Sequence, residues 1–181
     1  MDQPKDDAAK WVENLMRDYQ DKLTGGLFET IYKMDDVAVD TLMQGEAQTC
    51  VSAFIDLTGM SVPMDVDVFL KKMQTSGPSQ VRIERDGDVI LWTELHQGKC
   101  VCPLVTRDVI PLNPKLCICG AYWVKHLFKT AANTEVDVET LETAAHGAEN
   151  CCFRITIKRD EQAEAPAEAP ADEPADEPAP E

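Results

Sequence analysis

The chain has 181 residues and a mass of 20.1 kDa, enough for one domain with a real core and too little for two ordinary ones. Its formal net charge of −16 is concentrated at one end: residues 160–181 carry nine acids and no Lys or Arg, leaving 24 acids against 17 bases in the body. No Lys/Arg cluster or basic aromatic stripe occurs and no apolar run approaches a membrane span, so neither nucleic acid nor a membrane is expected as a partner.

The first residues, MDQPKDDAAKWVENL, lack a basic segment followed by an apolar one, and a cytoplasmic location is expected. In that reducing compartment, seven cysteines in closely spaced pairs point to metal or thiol chemistry rather than to a disulfide framework.

Residues 6–23 place Ala9, Trp11, Val12, Leu15, Met16, Tyr19 and Leu23 at helical spacing, which predicts an amphipathic helix with one buried stripe. Thr24-Gly25-Gly26 should stop it, and LFETIYKM at 27–34 should form a short second helix. Val37 to Leu57 reads as one or two helices interrupted near Gly45, with Cys50, Val51, Phe54, Ile55 and Leu57 inward. Residues 65–73 restart a helix with Asp65 as N-cap, ended by Ser76-Gly77-Pro78.

The period then changes to two. VRIER at 81–85 and DVILWTEL at 88–95 flank Asp86-Gly87, a hairpin signal of the type I′ class, and CVCPLV at 100–105 reads as a third strand. Gly120 to Ala132 sets Trp123, Val124, Leu127 and Phe128 on a helical face, and VDVETLETAAHG joins an extended stretch to a helix ended by Gly147. CCFRITIK at 151–158 is the last strand, with Cys151 toward the core and Cys152 away. The fold class expected is α+β: an antiparallel sheet packed with helices in a single domain, residues 1–158. That domain has a helical part at 1–76 and a cysteine-rich part at 80–158. Residues 159–181, rich in Pro, Ala and acids, should form a disordered acidic tail.

On one strand Cys100 and Cys102 would present both sulfurs to one point, and tetrahedral zinc accepts four thiolates. Cys117 and Cys119 lie in the turn between Pro114 and a helix that begins near Gly120, whose free N–H groups favour thiolate, which makes Cys119 the best thiolate and the candidate catalytic residue. The metal candidates are Cys100, Cys102, Cys117, Cys119 and Cys151, with Cys50 as a substitute. A reactive thiol without metal and ordinary buried cysteines remain alternatives. His96 is the histidine placed nearest the thiols in sequence, whereas His126 and His146 read as structural. Trp92, Tyr122, Trp123 and Phe128 are core residues or the lining of an apolar ligand pocket. No general base stands beside the thiols in the sequence.

The order from Asp88 to Lys158 is a hairpin, Cys-Pro-Leu-Val, Cys-x-Cys-Gly before a Trp-bearing helix, VDVETLETAAHG, then Gly147-x-x-x-Cys151-x-Phe153-x-Ile155. It resembles the small-molecule-binding domains named after 4-vinyl reductase and related proteins labelled L-2-amino-thiazoline-4-carboxylic acid hydrolase-like. The resemblance implies helices on an antiparallel sheet, similar to the ligand-binding fold of nitric-oxide signalling and Golgi-transport proteins. It also implies a small, often apolar ligand, and Cys102, Cys117, Cys119 and Cys151 as the matching thiols. The expectation is therefore a small-ligand- or zinc-binding protein, either alone or as a homodimer. A hydrolase opening a thiazoline-like C=N ring and a structural or partner-binding protein are the alternatives.

Overall fold

The computed structural model describes residues 3–76, 80–95 and 97–158. The expected acidic tail at 159–181, the helix stop at Gly77-Pro78 and His96 lie outside the described residues. The elements run α1 (Gln3–Ile31), α2 (Asp36–Thr58), α3 (Val66–Ser76), β1 (Val81–Asp86), β2 (Val89–Glu94), α4 (Pro103–Thr106), α5 (Ile118–Ala132), β3 (Val136–Glu142) and β4 (Cys151–Ile157). Two 3-10 turns, Pro114–Cys117 and Ala144–His146, precede α5 and β4.

The four strands form an antiparallel sheet in the order β1-β2-β4-β3, so the chain is α+β. Alternation along β2 and β4 sends Ile90, Trp92, Phe153 and Ile155 to one face, where α3 and α5 cover them, and α2 packs against the back of α5. The opposite face carries ion pairs between Arg154 and Glu139 and between Lys158 and Asp137. Phe69, Trp92 and Phe128 close the core as a ring trio with centroids 5.1 to 6.3 Å apart.

Local expectations hold in part. Asp65 caps α3 by accepting from the Asp67 and Val68 amides; α2 has a cap that sequence reasoning did not name, Asp35, which accepts from the Ala38 amide. The hairpin forms, but its two-residue turn is Gly87-Asp88, one position later than expected, and positive φ at Gly87 and not at Asp88 fits a turn with glycine first (type II′) rather than type I′.

Four expectations are corrected. Helix α1 runs through Gly25-Gly26 instead of stopping there, because Gly25 serves packing: a Cβ at that position would stand 2.9 Å from the Val109 carbonyl oxygen. The stripe from Trp11 to Leu23 is exposed, Trp11 at 64%, because nothing among the described residues packs against it. α2 is a single helix through Gly45, which has open space around it, and Leu57 is 88% exposed rather than inward. Residues 100–105 are not a strand: Pro103 occupies the first turn of α4, where its missing N–H costs nothing, and Cys102 precedes it at φ −58°, ψ 123°.

The two adjacent glycines of α1 should respond oppositely. Gly26→Ala, in open space, is expected to stabilise by up to about 1 kcal/mol through helix propensity. Gly25→Ala should instead destabilise by about 1 kcal/mol or more as Val109 is displaced. Urea unfolding of the two variants checks this, and equal shifts would contradict it.

A candidate thiol centre

Five parts of the fold bring sulfur together. Cys50 comes from α2, Cys100 and Cys102 from the loop before α4, Cys117 from the end of the first 3-10 turn, Cys119 from the first turn of α5, and Cys151 from the start of β4. All six are half-buried. Gly120 lets α5 press onto β4, since a Cβ there would meet the Phe153 ring at 3.0 Å, and Cys117, just before α5, stands near Cys151 at that end of the sheet. The charges these groups would carry act on one another: Cys102 opposes ionisation of Cys50, Cys100 and Cys119, while Cys117 opposes that of Cys100 and Cys151. Tyr32, at the end of α1, is raised to about 12, chiefly by burial and then by Cys102, Cys100 and Cys117. Cys152 faces the other side of the sheet, its sulfur 3.6 Å from Thr93 Oγ1.

Four of these sulfurs, Cys50, Cys100, Cys119 and Cys151, are held as thiols near neutral pH. Burial pushes Cys119 up to about 12, and the groups that reinforce it are all acidic: Cys50, Cys102, Glu46 and Cys100. Cys119 packs with the small cluster around Phe28, Val39, Met43 and Leu116, so its place in the first turn of α5 does not make it a thiolate. Cys100 rises to about 11 from burial, although the Cys102 amide donates to its sulfur at 3.4 Å. Cys50 and Cys151 are likewise raised, first by burial; the Ala144 amide donates to Cys151 Sγ at 3.4 Å. The soft donors suit zinc or a similar ion, but their spacing does not: among the described residues no three of His, Cys, Asp and Glu gather closely enough to hold one ion. Since Cys100 and Cys102 lie on a loop rather than a strand, the shared-face geometry expected of them is absent.

The aromatic candidates separate. Trp92 and Phe128 are wholly buried in the core, Trp123 lies edge-on to Phe54, and Tyr122 donates to Asp40 at 2.7 Å. A groove of about 360 Å³ instead runs between the start of α5 and the end of β3, lined by Pro114, Cys117, Ile118, Leu141, Glu142 and His146. The register of β3 shifts between Thr140 and Glu142 at this groove, and His146 Nδ1 shares a 2.7 Å hydrogen bond with Thr143 Oγ1.

Glu94 is the residue that sequence reasoning missed. It is the cross-strand neighbour of Cys151 and shares the inward face with Ile90 and Trp92, so the period-two pattern of β2 already marks it as buried. Burial raises its carboxyl to about 7, offset in part by the nearby Trp92 indole. A folded-state value above the ordinary one means that the neutral acid is accommodated and the anion is disfavoured. Stability is then full at low pH and falls as pH rises toward 7, by roughly 3 kcal/mol. Glu94→Gln should therefore flatten the loss of stability between pH 4.5 and pH 8 in urea unfolding; an unchanged slope would contradict the assignment.

No curated protein matches the chain. Among solved structures, one of trafficking protein particle complex subunit 3 from Naegleria fowleri, covalently bound to palmitic acid, aligns over 78% of this chain and 97% of that one, at 10% identity and a TM-score of 0.49. No described helix is long and apolar enough to cross a membrane. The family model described as "Family of unknown function (DUF6144)" matches residues 1–162, and the chain belongs to that family.

Proposed function

We propose that this protein is a cytoplasmic binding module whose cysteine-rich centre takes a small thiophilic ligand, with a soft metal ion such as zinc as the class its donors suit. The observation that carries the reading is that thiols from separate parts of the chain lie near enough to oppose one another's ionisation, Cys102 acting on Cys50, Cys100 and Cys119 and Cys117 on Cys100 and Cys151. Such a cluster is costly to charge on its own and is relieved by one soft cation, which would exchange for the thiol protons. Zinc, when bound, would supply a fixed positive charge and cross-link the loop, the start of α5 and β4. Cys100 and Cys102 must shift to reach it, and they sit on the loop that is outside the sheet. The resemblance to 4-vinyl-reductase-type domains supports a small-molecule or metal role of the same kind.

Binding is favoured over hydrolysis. A nucleophilic mechanism needs a thiolate beside a base, whereas Cys119 is held as a thiol among acidic neighbours. Glu94, the carboxyl tuned toward neutrality, faces Cys151 across the strands rather than Cys119.

The test is to titrate the reduced full-length chain with zinc while counting free thiols by a chromogenic disulfide. About one ion per chain should be retained through gel filtration, with Cys100, Cys102, Cys117 and Cys119 protected and protons released. Zinc that washes off, with all seven thiols reacting equally fast with and without it, would refute the metal reading.

A further inference from the structure

Helix α1 is 29 residues long, about 43 Å, yet only its last turns enter the fold. Phe28 and Ile31 are buried, and Arg107 pairs with Asp21, but Trp11, Val12, Leu15, Met16, Tyr19, Leu23 and Leu27 are all about half exposed or more. A helix of this length that no described residue covers along its first five turns is marginal in water, because most helical stability comes from packing an apolar face. Seven large apolar side chains on one stripe also exceed what a monomer ordinarily leaves in solvent.

We propose that this stripe is the interface of an antiparallel homodimer, with α1 of one copy crossing α1 of the other near Tyr19. Three observations select a second copy. The first is symmetry: Trp11, Leu15, Tyr19, Leu23 and Leu27 recur every four residues, so the row reads alike in both directions from Tyr19. Reversed on itself about the crossing point, it sets Tyr19 on the two-fold axis and Leu15 opposite Leu23. An isologous contact requires this self-complementarity, and ridges of four-residue spacing are those that interdigitate in the commonest helix crossing.

The second is charge. Asp18 and Lys22 flank the row on one edge near the crossing point, both exposed, so each copy brings an acid to the other's base. The third is area: the seven side chains present on the order of 800 Å², the amount one partner buries in a standard interface. A lipid surface fits less well, because the polar face holds Asp7, Glu13, Asp18 and Asp21 against only Lys10, Arg17 and Lys22.

Sedimentation equilibrium of the full chain at about 50 µM should give twice 20.1 kDa. Leu15→Glu should raise the dimer dissociation constant on the order of a hundredfold. Asp18→Lys should weaken the dimer, and Asp18→Lys with Lys22→Asp should restore it, since the swap returns opposite charges to the edge. The near-ultraviolet signal of buried Trp92 should persist in every variant, because α1 lies outside the main core. A monomeric wild type, a dimer indifferent to Leu15→Glu, or a double swap no tighter than Asp18→Lys alone would each overturn the proposal, as would vesicle binding by a monomer.

Discussion

Helix α5 is held between two surfaces, and the placement of the thiols follows from that constraint. Its Val124, Leu127 and Phe128 are buried, with Phe128 meeting the ring faces of Phe69 and Trp92, while α2 packs along its other side. Gly120 removes the one side chain that would keep the start of α5 from Phe153. With α5 so fixed, Cys117 stands at the sheet end where β4 begins with Cys151 and β2 ends with Glu94, while Cys119 turns to the cluster of Phe28, Met43 and Leu116. The loop carrying Cys100 and Cys102 leaves β2 from that same end, and Cys50 reaches it from α2. The gathering of sulfur is thus a product of core packing rather than of any local motif.

The chemistry of the centre is set by desolvation more than by charge. Burial is the first cause of every raised thiol there, and the neighbours that add to it are themselves acids. A helix N-terminus ordinarily favours thiolate, but Cys119 sits in a helix already preceded by the 3-10 turn and packs against apolar side chains, and burial wins. The result is a set of neutral soft donors at Cys50, Cys100, Cys119 and Cys151, with the raised carboxyl of Glu94 beside Cys151.

Much of the fold was legible in the residues. The period-two runs at 81–85, 88–95 and 151–158 became β1, β2 and β4 because alternation leaves only one way to bury Ile90, Trp92, Phe153 and Ile155 together. The reversal of Cys151 and Cys152 followed from the same rule. What misled was context that no local pattern contains. Gly25-Gly26 looks like a helix stop unless the Val109 carbonyl pressed against Gly25 is known, and CVCPLV looks like a strand until Pro103 starts a helix. The α1 stripe was read correctly as amphipathic, but a periodic face says that something covers it without saying that the cover belongs to the same chain. Glu94 was legible and overlooked, since its position two residues after Trp92 puts it inward.

The central claim is that thiols far apart along the chain share one neighbourhood, and short-range thiol bridging tests it most directly. The native, reduced protein would be treated with a trivalent arsenical that spans two nearby sulfurs, and the bridged peptides identified by mass spectrometry. The account predicts bridges that join Cys102 or Cys100 to Cys119, Cys117 or Cys50. Bridges confined to sequence neighbours such as Cys151 and Cys152 would contradict it.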